Sequence, residues 1–89
     1  MALVKKKLVV KNMQGLHARP AALFVQIANK FDSRITVSRG EEEVNGKSIM
    51  GILMLGAEKG SAIIIEADGA DAQVAIDELA KIITSEEDL

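Results

Sequence analysis

The chain has no cysteine, which excludes a disulfide framework, a thiolate nucleophile and any cysteine-ligated metal or iron–sulfur site. Tryptophan and tyrosine are also absent, so there is no stacking platform for nucleic acid, and a formal charge of −2 provides no basic footprint to attract one. Long apolar runs are missing too. The amino-terminal "MALVKKKLVV" places three lysines inside its one hydrophobic patch, excluding both a spanning helix and a secretory signal there. The expected location is the cytoplasm, which suits a cysteine-free chain. Histidine and proline occur once each, at His17 and Pro20.

What is present reads as one folding unit. A length of 89 residues, 48% of them hydrophobic, is enough for a single compact domain spanning 1–89 and too little for two. Residues 3–10 read as a strand with Val4, Leu8 and Val10 on one face; Lys6 interrupts that face, while Lys5 and Lys7 point the other way as guards on a sheet edge. From Ala18 to about Asn29 the apolar set Phe24, Ile27, Ala28 and Phe31 recurs at helical spacing. "SRITVSR" alternates with Ile35 and Val37 inward, and Gly40 turns it into a shorter strand ending near Val44. Three consecutive isoleucines in "SAIIIEA" suit a strand paired on both sides. A last helix buries Ala72, Ala75, Ile76, Leu79 and Ile83, with Asp71 near its start and Lys81 toward its end, each sign matching the helix dipole. The order is strand, helix, hairpin, short helix, strand, helix. It implies an α+β domain whose small antiparallel or mixed sheet is covered by helices on one face only.

"GLHARPA" carries the chemistry. Gly15 permits a sharp turn after the first strand, and Pro20 sits in the first helical turn, where its missing N–H removes no intrahelical bond. His17 therefore lies at or next to the helix N-cap, where unsatisfied N–H groups and the positive end of the dipole favour an anion by about 0.3–1 kcal/mol, or about 2 when partly buried. Arg19 adds a guanidinium fork suited to phosphate oxygens. The same positive end favours the neutral ring, whose lone pair can attack phosphorus. The reading is a histidine that accepts a phosphoryl group and passes it on. No second histidine, P-loop or evident acidic cluster for magnesium accompanies it, so partners must complete the reaction.

"NGKSIMG" begins a second site. Ser48 is suited to cap a helix from Ile49 to about Leu55, stopped by Gly56. Ile49, Met50, Ile52, Leu53, Met54 and Leu55 are all apolar within those seven, more than one buried face can hide, so some of them remain exposed as an adaptable surface for docking.

These two segments at this spacing resemble the signatures of HPr, the histidine-containing phosphocarrier family of the bacterial phosphoenolpyruvate-dependent sugar phosphotransferase system, over essentially the whole chain. The resemblance implies an HPr-like open-faced β-sandwich: a four-stranded antiparallel sheet in the order 1-4-2-3 with three helices on one face. It implies that enzyme I phosphorylates Nδ1 of His17 and that enzyme IIA domains take the group onward, with the protein itself no enzyme and no cofactor required. Arg19 matches the phosphate-stabilising arginine, and Asn12 a position that supports the site. Ala18, Ile49, Met50 and Leu53 match the docking patch, and Ser48 the serine modified by HPr kinase/phosphorylase in many bacteria. A transcriptional regulator is a further implied partner. A monomer is expected, since a carrier must show one face to successive partners. Leu53 stands where many sugar-system carriers have methionine, and Met54 where many have a small polar residue. The latter resembles NPr, the carrier of the nitrogen-related branch, which is one alternative. A purely regulatory module governed by Ser48 is the other, and the presence of His17 speaks against it.

Overall fold

The computed structural model describes residues 2–86. The elements run β1 (Ala2–Val9), α1 (Ala18–Ala28), β2 (Arg34–Arg39), β3 (Glu42–Asn45), α2 (Ile49–Leu55), β4 (Ala62–Gly69) and α3 (Ala72–Thr84). All strand pairs are antiparallel, and the sheet order is β1-β4-β2-β3. The expected α+β architecture with order 1-4-2-3 and three helices is the one found.

Alternation along the strands decides which face the helices cover. Ile35, Val37, Ile63, Ile65 and Ala67 are buried and meet Phe24, Ile52, Ile76, Leu79 and Ile83 from the helices in one core. Full burial of each such Ile, Leu or Phe side chain contributes about 1.5–3 kcal/mol. The other sheet face is open, and Ile64, between two buried isoleucines, remains 40% exposed. The isoleucine run is thus paired at both edges yet covered on one side only.

Two expectations need adjustment, at Val10 and Phe31, and two that hold, at Lys6 and Asp71, gain a detail. β1 ends at Val9, and Val10 lies buried just past it, its N–H donating to the Ser61 carbonyl at 2.9 Å. Lys6 shares a face with Val4 and Leu8 but is exposed, because β1 is an edge strand. α1 stops at Ala28 with Asn29 as its cap, leaving Phe31 beyond the helix and half-buried. Asp71 occupies the N-cap position of α3 but makes no capping bond. Its carboxylate instead accepts the N–H groups of Asp32 at 2.8 Å and Ser33 at 3.0 Å, and the Ser33 hydroxyl. The Ser33 hydroxyl foremost, then the Asp32 amide, holds that carboxyl below its ordinary value of 3.8. Asp71 therefore pins the turn between α1 and β2 to the start of α3.

Candidate functional site

The segment between β1 and α1 is fastened on both sides of His17. Gly15 adopts φ +66, and its N–H donates to the Asn12 carbonyl at 3.0 Å. Asn12 is buried, and its Oδ1 accepts the Gln14 N–H at 3.0 Å, so the side chain shapes the loop from beneath. Leu16 is buried and donates its N–H to the Ala57 carbonyl at 2.7 Å. Pro20, in the first turn of α1, is buried as well. Between these anchors His17 is half-buried, with extended backbone at φ −127, ψ 166, and it forms the N-cap of α1.

The junction after it is strained. Ala18 has φ +49, a left-handed conformation that disfavours any side chain by about 1–2 kcal/mol. The anchors at Leu16 and Pro20 impose it, because the chain must turn from one buried residue into a helix before the next. One consequence is that the His17 carbonyl receives the Ala21 N–H only at a long 3.4 Å. A second is that the imidazole is not spent on capping, since it makes no side-chain bond to the helix start. No acidic residue occupies the first turn of α1. The positive end of this eleven-residue helix thus has no carboxylate in its first turn to offset it. Arg19 is exposed, and among the described residues no carboxylate pairs with it. No group of three or more potential metal ligands exists among the described residues.

Ser48 begins α2 as expected: its Oγ accepts the Gly51 N–H at 3.1 Å, and the helix ends at Leu55 with Gly56 as its cap. Ile52 and Leu55 point into the core, whereas Ile49, Met50, Leu53 and Met54 are exposed, the two methionines at 64% and 74%. Positions i, i+1, i+4 and i+5 share one helical face, so these four make a single apolar surface. Ala18 is exposed at the start of α1.

Three ties orient α2, and none has a local sequence signal. The residue following its cap, Ala57, holds Leu16 beside the histidine. Arg39 donates through Nη1 to the carbonyls of Leu55 at 3.1 Å and Gly56 at 3.0 Å, closing the open end of the helix. At the other end, Asn29 Nδ2 donates to the Val25 carbonyl at 2.8 Å and the Lys47 carbonyl at 3.1 Å, while Lys47 Nζ donates to the Phe31 carbonyl at 2.6 Å. The carboxyl end of α2 thus lies at the His17 loop and its amino end, with Ser48, at the far end of α1. Seven residues at 1.5 Å each put about 10 Å of helix between them.

The strand order, the one-sided helical layer and the histidine at the start of α1 define a small open-faced sandwich of the HPr-like fold. A family model described as "PTS HPr component phosphorylation site", PTS being the phosphotransferase system, matches residues 4–85. The phosphocarrier protein HPr of Neisseria meningitidis serogroup A is 43% identical over 81 residues, 91% of each chain. The HPr-like protein Crh of Halalkalibacterium halodurans is 45% identical over 84 residues, covering 94% of this chain and all of that one. The crystal structure of HPr from Bacillus anthracis superposes with a TM-score of 0.90 at 46% identity, covering 93% of this chain and 99% of that one. The chain belongs to the HPr family of phosphocarrier proteins. Its activity is that of a phosphocarrier in the phosphotransferase system, and it is not itself an enzyme. No helix among the described residues is long and apolar enough to cross a membrane.

Proposed function

We propose that His17 is the residue that carries the phosphoryl group, in the sugar branch of the system. The observation that supports this reading is a half-buried N-cap histidine whose ring makes no capping bond, set by a strained residue at the unpaired amides of α1. A ring nitrogen uses its lone pair to attack the phosphorus presented by phosphorylated enzyme I. The new P–N bond forms as the bond to the donor breaks, and the reverse exchange delivers the group to an enzyme IIA domain. The amides of Ala18 and Arg19 and the Arg19 guanidinium balance the charge on the phosphoryl oxygens. The apolar surface of Ile49, Met50 and Leu53, with Ala18, receives the partners, and Asn12 supports the loop.

Incubation with phosphoenolpyruvate and enzyme I tests the reading. The expected label is acid-labile and base-stable, is lost in His17→Ala, and accumulates slowly in Arg19→Ala. A label that persists in His17→Ala would overturn it.

A second, compatible reading is favoured by the placement of Ser48, half-buried at the start of α2. Phosphorylation of this serine by an HPr kinase/phosphorylase puts a dianion at a helix start but also into the apolar docking surface, acting as a brake on association and as the handle for a transcriptional regulator. An acid-stable label that disappears in Ser48→Ala, after incubation with such a kinase and ATP, is the expected result.

A further inference from the structure

The two free edges of the sheet are built from opposite charges. β1 pairs only with β4 and carries Lys5, Lys6 and Lys7; β3 pairs only with β2 and carries Glu42 and Glu43, with Glu41 in the turn just before it. Among the described residues only Lys5 of these six forms an ion pair, with Glu66 at 3.3 Å, and its side chain is still 64% exposed. Arg39, opposite Glu42, is already committed to the end of α2.

We propose that these edges fit each other in neighbouring copies, β1 of one chain joining β3 of the next as an added antiparallel strand. Four features agree. Direction is the first: the order β1-β4-β2-β3 with every pair antiparallel leaves β1 and β3 running oppositely, as a continued antiparallel sheet requires. Charge is the second. A register setting Lys6 opposite Glu42 also sets Lys5 opposite Glu43 and Lys7 opposite Glu41. The third is the facing of the side chains. In that register Val4 meets Val44, both half-buried on the helix side of the sheet, while Lys5 and Glu43 meet on the open side.

The fourth feature is the backbone. The Val10 N–H donates to the Ser61 carbonyl, so even-numbered residues of β1 turn their polar groups toward β4 and odd-numbered ones turn them outward. The Gly46 N–H donates to the Ile35 carbonyl, so even-numbered residues of β3 face β2 and odd-numbered ones face outward. Lys5 and Glu43 consequently present free N–H and C=O groups to each other. Moving the register by two keeps the facing and the backbone match but breaks the three-against-three charge match.

Like charges along each edge oppose β1–β1 and β3–β3 pairing, the usual protection of exposed strands. They do nothing against β1–β3. The contact is heterologous, so copies add head to tail rather than closing as a pair. Exposed ion pairs are individually weak and screened, so association belongs to low ionic strength and leaves the chain monomeric as salt rises.

Sedimentation equilibrium of the full chain over a concentration series tests this. At about 10 mM salt, with a screening length of about 30 Å, average mass should rise with concentration; at about 1 M, where that length is about 3 Å, it should return to the monomer. The triple variants Lys5→Glu/Lys6→Glu/Lys7→Glu and Glu41→Lys/Glu42→Lys/Glu43→Lys should each be monomeric at low salt, and an equimolar mixture should associate again. Far-UV circular dichroism of each variant confirms that it is folded. A wild-type chain that stays monomeric at low salt overturns the proposal. So does association that survives either reversal, or that grows with salt as contact through the methionines of α2 would.

Discussion

Replacing Gly15 with alanine tests whether the loop under His17 is held as described, and Gly40→Ala supplies its control. Both glycines have left-handed backbone, φ +66 and φ +60. A Cβ on Gly40 would meet nothing within 4 Å, whereas one on Gly15 would stand 2.6 Å from the Ala57 carbonyl oxygen and 2.9 Å from the Glu58 Cα. The two variants therefore share the left-handed cost of about 1–2 kcal/mol, and only the first adds a collision with backbone that cannot rotate away. The carbonyl that would be struck is the acceptor of the Leu16 N–H, and Leu16 is buried, so relief displaces a core side chain. Overpacking of that kind adds about 1–3 kcal/mol. With a urea slope of about 1 kcal/mol/M, the two midpoints should differ by about 1–3 M, Gly15→Ala being the less stable. Phosphoryl acceptance from enzyme I supplies the second readout: it should fall in Gly15→Ala, whose clash lies two residues from His17, and hold in Gly40→Ala. Equal urea midpoints for the two variants would refute the account of the loop.

Ser48→Ala removes the acceptor for the Gly51 N–H and should lower stability by about 1 kcal/mol in urea unfolding. Ser48→Asp keeps a capping oxygen, so stability should hold while the half-saturating concentration of enzyme I rises about tenfold, equivalent to about 1.4 kcal/mol of docking; a fall in maximal rate alone would contradict this. Because the folded state depresses the Asp71 carboxyl below 3.8, its contribution is complete above that value and is lost as pH falls through the lower folded one. Urea midpoints measured near neutrality and again below about pH 3 should therefore drop further in the wild type than in Asp71→Asn, the other carboxylates cancelling in the comparison. Arg39→Ala leaves the carbonyls of Leu55 and Gly56 to water and should cost about 1 kcal/mol, read as faster amide exchange in the last turn of α2 with α3 unchanged.

Elements closed by local chemistry were legible in the sequence. α2 runs from the residue after Ser48 to the residue before Gly56, as their capping preferences require. The core stripe of α3 and the inward pair Ile35 and Val37 follow from periodicity alone. What escaped depends on partners distant in sequence. Asp71 suits a helix start by charge, yet its carboxylate is drawn to amides at Asp32 and Ser33, some forty positions earlier. Nothing near Arg39, Asn29 or Lys47 signals that they fasten α2 at both ends. The placement of His17 and Arg19 at the start of α1 was readable from Gly15, Pro20 and the helical spacing around them. The positive φ of Ala18 was not, because alanine avoids that conformation and only the anchors at Leu16 and Pro20 enforce it.

The layout of α2 bears on how a carrier could be both used and regulated. Its carboxyl end is bonded to the loop that presents His17, its amino end is capped by Ser48, and its exposed apolar face lies between. A charge placed on Ser48 is about 10 Å of helix away from the histidine loop, too far to bond to it. It nevertheless falls on the edge of the surface any partner reaching His17 would cover. If Ser48 is phosphorylated as proposed, the modification would therefore act on association and leave the reactivity of the imidazole alone. The converse also follows: a phosphoryl group carried on His17, as proposed, would leave the Ser48 cap undisturbed, because that cap is closed within α2. The two proposed modifications would then share nothing but the exposed apolar face of α2.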